Sequence, residues 1–392
     1  VRRTVLVTGT GGAGRSTVAA ATALAAAREG RRAVLVGPEP LPEALHAVDG
    51  LRHVRLDVAR TFRSAALDLQ SRGRAALDFL GATALEEDEL TEPPGAAAFT
   101  LLHTLRALHD AVGTPSAEGA GGDGDVLVAD LPPVGEALAQ LALPEQLARY
   151  LHRLLPPQRQ AARALRPVLA QLAGVPAPAD RLYETAARWQ DALAGTREVL
   201  AAPGTSVQLV VGAEAGMPAV VAEARAGLAL HGVPLDAVTV NRMLPAASPD
   251  PFLAALGGGQ REAVGELRTV LGPVPLRELP WSPRAPRTPQ ELAALGVPAP
   301  APAPAPRPVP RVEDRRDTEG ELVWRLPLPG AVRERLDLVR RGDEVIVTIG
   351  PYRRALPLDG ALTRCAVAGA RLADGELAVR FRPDPALWPR ER

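Results

Sequence analysis

Lysine is missing altogether: all 45 residues counted as Lys plus Arg are arginines, set against 45 acids for a formal net charge of +0. With neither an excess of positive charge nor a basic tract interleaved with aromatics, nothing recommends nucleic acid as the main partner. Cysteine is nearly as scarce. Cys365 is the one thiol, so no disulfide closes within the chain, and no Cys/His cluster has the spacing of structural zinc ligands. Aromatics are 3% of the residues and methionines number 2, which leaves little material for an adaptable Met-rich groove. Long apolar runs are absent too, because Arg, Glu or Pro interrupts each before the ~20 residues that a spanning helix needs. Residues 1–30 read as strand, turn and helix rather than as a signal peptide. The expectation is a cytoplasmic protein without an integral membrane segment. His46, His53, His103, His109, His152 and His231 are scattered, with no nucleophile motif beside any of them.

What the chain has instead is length, glycine and proline. Its 392 residues suit two or three domains with a substantial core. Over residues 4–295, short β-branched or Leu-rich runs alternate with helical stretches, the pattern of a parallel sheet covered by helices. Strands are expected at 4–8, 33–37, 53–57, 125–130, 206–212, 236–241 and 274–279. Helical regions fall at about 60–112, followed by the loop GTPSAEGAGGDGD, and at about 145–202 as an insertion. The alternating PAPAPAPAPRPVP of 298–310 predicts a stiff polyproline II spacer, about 40 Å long at ~3.1 Å per residue. Beyond it, short strands joined by Gly and Asp turns predict a small β-sandwich. The expected division is therefore 1–297 as an α/β domain, 298–320 as a Pro-rich linker and 321–392 as the β domain. Trp281 and Trp324 are expected to anchor domain packing, and Trp388 to tie down the C-terminus.

The chemistry concentrates at residues 4–17, TVLVTGTGGAGRST, a strand running into a glycine-rich turn and then a helix. Gly9, Gly11, Gly12 and Gly14 let backbone N–H groups converge on phosphate oxygens, and the helix end adds its positive pole. Gly9 and Gly14 have the spacing of G-x-x-x-x-G-K-[ST], the P-loop, with Ser16 at the Mg²⁺-binding hydroxyl position. Arg15 stands where that motif has Lys, exchanging a compact ammonium for a longer planar fork. In VLVADLPPVG at 126–135, a second apolar strand ends in Asp130, where a P-loop fold carries the carboxylate that orients the Mg²⁺ water shell. The fold class is thus α/β, a P-loop NTPase fold with a parallel sheet and helical insertions, plus the C-terminal β-sandwich.

On these motifs the chain resembles the ArsA family of ATPases. The family loop G-K-G-G-V-G-K-T corresponds to GTGGAGRS at 9–16, its second switch D-T-A-P-T-G-H-T-L to DLPPVGEAL at 130–138, and its adenine-side V-V-N-[QR] to VTVNR at 238–242. The distal domain resembles the small heat-shock-protein-like domain appended to some bacterial members. The resemblance implies ATP and Mg²⁺ as ligands, with Gly9, Thr10, Gly11, Gly12, Ala13, Gly14, Arg15, Ser16 and Thr17 around the phosphates. It further implies Ser16 on Mg²⁺, Asp130 on Mg²⁺ through water, and Asn241 at the adenine. Dimerisation follows from it too, with a second copy or with an ArsA-like paralogue, and so does a protein client for the helical insertion. Several departures stand out. Thr10 replaces the signature lysine, Leu131 and Glu136 replace a Thr and a His, and Gly37 occupies the position of the catalytic Asp of the first switch.

Phosphoryl transfer depends on positioned charge, so these losses remove much of what turnover requires. The reading is an ATP-binding protein, slow or inactive in hydrolysis, acting as a regulatory or dimer-partner subunit. Two alternatives remain. One is an active ATPase with Arg15, Glu39 and Asp130 as its catalytic candidates; the other is a chaperone-like scaffold that handles clients without nucleotide.

Overall fold

The computed structural model of the chain describes residues 3–80, 83–111, 125–154 and 178–388. Seven strands form one sheet: β1 (Arg3–Gly9), β2 (Ala33–Gly37), β3 (Leu51–Arg55), β4 (Val126–Pro133), β5 (Thr205–Val211), β6 (Leu235–Met243) and β7 (Leu276–Pro280). Their order is β3-β2-β4-β1-β5-β6-β7, and every pairing is parallel. Each lies where a strand was expected, except that β3 begins and ends two residues before 53–57. The reason is Asp57, whose carboxylate accepts the amide of Arg60 at 2.9 Å and so opens the next helix instead of closing the strand.

The helices are α1 (Arg15–Arg28), α2 (Val58–Leu80), α3 (Ala96–Ala111), α4 (Val134–Leu154), α5 (Pro178–Ala201), α6 (Met217–Leu230), α7 (Pro251–Leu271) and α8 (Pro289–Ala294). The loop expected at 113–125 and the middle of the 145–202 insertion lie outside the described residues, apart from Asp125; α4 and α5 are the described ends of the insertion. Both sheet faces are covered, as a parallel sheet requires. Successive side chains alternate between them. Leu6, Leu127, Ala129 and Leu209 pack toward α3, α4, α6 and α7, whereas Val5, Val7, Val128 and Val210 pack toward α1 and α8.

The distal domain comprises β8 (Arg311–Arg315), α9 (Arg316–Glu319), β9 (Glu321–Pro327), β10 (Leu336–Arg341), β11 (Glu344–Ile349), β12 (Tyr352–Pro357), β13 (Cys365–Ala373) and β14 (Glu376–Pro383). They build two antiparallel sheets, β10-β11-β12 and β13-β14-β9-β8, enclosing Trp324, Leu326, Val347 and Phe381. Strand β8 falls inside the span expected as linker. Its sequence RVEDR hides it, because Arg311 and Glu313 point at charges on the sheet's outer face, Arg325 bonding to both Glu313 and Glu376.

Residues 298–310 carry no helix or strand, yet they are no free spacer. Proline cannot donate, so carbonyls in this run lack ladder partners and accept from the core instead. Arg31 donates to Pro300 O at 2.7 Å and Arg3 to Ala301 O at 2.8 Å, while the Ala305 amide reaches Asp236 at 2.8 Å. Arg307 in turn donates to the carbonyls of Leu200, Ala202 and Gly232. Trp324 is buried and Trp388 packs against the core, as expected, with Arg316 and Arg364 over its ring. Trp281 departs from expectation: it is 51% exposed.

Candidate nucleotide site

At the carboxyl end of β1 the chain turns through residues 10–14 into α1. Gly9 runs so close to β5 that a Cβ there would sit 1.7 Å from Val210 O. Gly14, the residue before α1, has φ 90, and a Cβ on it would lie 2.4 Å from Asn241 Nδ2. Only glycine meets both conditions. No side chain caps α1 and its first turn holds no acid, so its leading N–H groups and positive pole are available to an anion. Thr10 anchors the turn by its backbone, its amide donating to Val210 O at 3.0 Å and its carbonyl accepting from Ala13.

The loop's one cation and the carboxylates meet on its β4 side. Arg15 donates to the carbonyl of Leu131. Asp130, 7% exposed, lies beside the Ser16 hydroxyl in the same cleft. Burial raises the proton affinity of Asp130, and Glu39 nearby adds to that, while the Ser16 hydroxyl and Arg15 oppose it. Gly37, at the end of β2, touches this group: a Cβ there would come within 3.2 Å of Asp130 Cβ. Thr8 fixes the strand end by donating to Pro132 O at 2.6 Å.

A cleft of about 120 Å³ opens from this polar end, lined by Ser16, Thr17, Gly37, Glu39 and Asp130, then by His53, Leu41, Leu45, Pro286 and Leu292. Burial and the neighbouring His46 and Arg55 lower the proton affinity of His53, favouring its neutral form. His53 and the Pro286 segment were not foreseen. They come from an edge strand and from beyond β7, and only the sheet order and the packing of α8 on α1 bring them to the loop.

Ser16, Thr17, Glu39 and Asp130 are therefore brought into one cleft, with Arg15 beside it. Asn241 joins the loop from the other side. Its Nδ2 donates to Ala13 O at 2.8 Å, bracing the 10–14 turn, and its Oδ1 accepts the Arg242 amide at 2.9 Å, so both polar ends of the side chain are engaged. A hydroxyl and a buried carboxylate are hard oxygen donors, and a carboxylate held at a desolvation cost suits a divalent cation. Residues present here thus fit Mg²⁺ with a phosphate group. Among the described residues, no group of three or more His, Cys, Asp or Glu has the arrangement of a metal centre, and no helix is long and apolar enough to cross a membrane.

Comparison with known proteins agrees with this architecture. A family model described as anion-transporting ATPase matches residues 2–293, and a second, described as an HSP20-like domain found in ArsA, matches residues 319–381. A Streptomyces coelicolor protein is 48% identical over 100% of both chains. A Mycobacterium tuberculosis protein is 29% identical over 99% of this chain and 97% of its own. A protein of Aquifex aeolicus named as an arsenical pump-driving ATPase is 24% identical over 96% of this chain and 99% of its own.

Proposed function

Because this chain belongs to the anion-transporting ATPase family, we propose that it binds ATP with Mg²⁺ at the 9–17 loop and turns it over slowly or not at all. Its role on this reading is that of a regulatory or dimer-partner subunit. The observation that carries it is the contact between Gly37 and Asp130. A carboxylate at position 37 is not merely absent, for its Cβ alone would crowd the Asp130 side chain at 3.2 Å. A water-orienting carboxylate at this position would have to push the Asp130 side chain aside by a few tenths of an ångström.

Each remaining group has a limited part. The glycine turn and the α1 pole bind phosphate, Ser16 and Asp130 hold the cation, and Arg15 supplies one positive charge next to β4. Mg²⁺, when bound, would neutralise phosphate charge and polarise the terminal phosphoryl group. Pump activity toward soft metalloids finds no support, since one buried thiol, Cys365, offers no paired sulfur ligands.

Titration calorimetry with ATP and Mg²⁺, alongside Arg15→Ala and Ser16→Ala, tests the binding half. Micromolar affinity lost in both variants is expected, and no heat up to millimolar ATP would overturn the proposal in favour of a nucleotide-free scaffold. Steady-state phosphate release tests the other half, with little turnover expected. The presence of Glu39 in the cleft favours one second reading, an active ATPase using Glu39 as base. A measurable turnover abolished by Glu39→Gln would establish that reading in place of the first.

A further inference from the structure

The β domain sits against α4 and α6. Arg149 and Arg153 of α4 donate to Glu344 of β11 at 2.7 and 2.6 Å, and Arg354 of β12 pairs with Glu145 at 3.0 Å. On α6, Glu223 pairs with Arg335, and Gly227 makes room for the Tyr352 ring, where a Cβ would also come within 3.0 Å of Leu138 on α4. These two helices follow β4 and β5, the strands that flank β1 in the sheet. Both strand ends are tied to the phosphate loop. The Thr10 amide donates to Val210 O of β5 at 3.0 Å, and the Thr8 hydroxyl donates to Pro132 O of β4 at 2.6 Å. Arg15 ties β4 a second time, at the carbonyl of Leu131. From Leu131 only Pro132 and Pro133 lead into α4, and their rings fix φ, so the joint is stiff. Pro144 interrupts α4 midway, yet the β domain grips the helix on both sides of it, at Leu138 and at Glu145, Arg149 and Arg153.

A guanidinium that donates to a neutral carbonyl yields to a charged acceptor, because its bonds to phosphate are roughly twice as strong and pair in a fork. Arg15 is the first residue of α1, directly after the glycine turn, so phosphate held by that turn competes with Leu131 O for it. We propose that Arg15 is an exchangeable latch: phosphate bound at the 9–17 loop draws its guanidinium from Leu131 O, frees the joint between β4 and α4, and weakens the docking of the β domain on α4. This inference rests on the nucleotide-site reading above and deepens it, by naming the element that the site regulates. Linkage then requires the converse. Loosening the β domain must favour phosphate binding by the same factor.

Amide exchange of the full chain is followed with Mg²⁺ alone, with Mg²⁺ and ATP, and with Mg²⁺ and inorganic tripolyphosphate, at ligand concentrations that calorimetry shows to be saturating. Both ligands should speed exchange in β11 and in the distal turns of α4 by roughly fivefold or more. Arg15→Ala should show the same faster exchange with Mg²⁺ alone, since the latch is gone without any ligand. Glu344→Gln, far from the loop, should bind ATP roughly fivefold tighter than the parent. Exchange in β11 that is unchanged or slower at saturating ATP would overturn the latch and leave the nucleotide site standing, as would Arg15→Ala exchanging like the parent or Glu344→Gln binding ATP like it. Failure of both ligands to bind the parent would overturn both readings together.

Discussion

Burial raises the proton affinity of Asp130, so the folded chain holds a proton there at pH values where the unfolded chain has released it. Its sign follows directly. The group's contribution to stability is present below the unfolded carboxylate pKa and is lost as pH rises through the raised folded value. A carboxylate retained against this cost is one that a cation would compensate. Asp130→Asn should therefore stabilise the chain by on the order of 1 kcal/mol at neutral pH while removing any Mg²⁺ dependence of ATP binding. Thermal unfolding with and without Mg²⁺ checks both, and a variant of lower stability would contradict the reading. The identities of Asp130, Ser16 and the glycines were legible because the motif's spacing is local. The crowding of Gly37 by Asp130 was not, since it arises from two strands, β2 and β4, that are neighbours only in the sheet.

Among elements, α4 has a particular position. It continues β4 without an intervening loop, so it begins three residues after Asp130–Leu131. Its distal half faces the β domain. Arg149 donates to Glu344 at 2.7 Å and Arg153 at 2.6 Å, and Arg354 pairs with Glu145 at 3.0 Å. Hydrogen bonding from Arg149 holds the Glu344 carboxyl below its usual range, so this contribution is present above the ordinary carboxylate pKa and lost as pH falls through the lowered value. Glu344→Gln should loosen the docked β domain by about 1–2 kcal/mol, read as faster amide exchange in β11 and in the distal turns of α4. Unchanged exchange there would count against α4 as the link. All seven core strands were readable from β-branched runs, whereas RVEDR of β8 was not, because its charges face outward on an edge strand.

For the whole molecule, the joint between parts lies at the end of α6. That helix is sandwiched: Gly227 leaves room for the Tyr352 ring, where a Cβ would approach within 2.5 Å, and Gly330 lies against Ala222 O. At its C-terminus Arg354 donates to Leu230 O and Arg307 to Gly232 O, so the β domain and the Pro-rich segment converge on residues 230–232. His231 sits between them with its Nδ1 buried and unpaired, and burial, with Arg354 adding to it, lowers its pKa from 6.5 to about 4. Between those values the unfolded chain takes up the proton first, so stability falls with falling pH. A loss of up to roughly 3 kcal/mol is expected on acidification across that window, and His231→Gln should flatten it in denaturant titrations. Since the β-domain core and the sheet's covering helices form one continuous apolar cluster, the two parts should unfold together in calorimetry.

Local chemistry is what the sequence determines by itself. Glycines at phosphate-loop spacing, strand runs of β-branched residues and the missing lysine at position 15 are all read within a few neighbours, and so yield the α/β fold, the family and the loop. Tertiary structure decides what depends on distant segments sharing a space. It packs the Pro-rich run along the core by giving its unpaired carbonyls to Arg3, Arg31 and Arg307, and it spends Asn241 on bracing the turn while twisting Arg242 outward. No spacing rule in one dimension encodes a carbonyl's search for a donor or a side chain's competition for a site, because both are settled only when the chain has closed on itself.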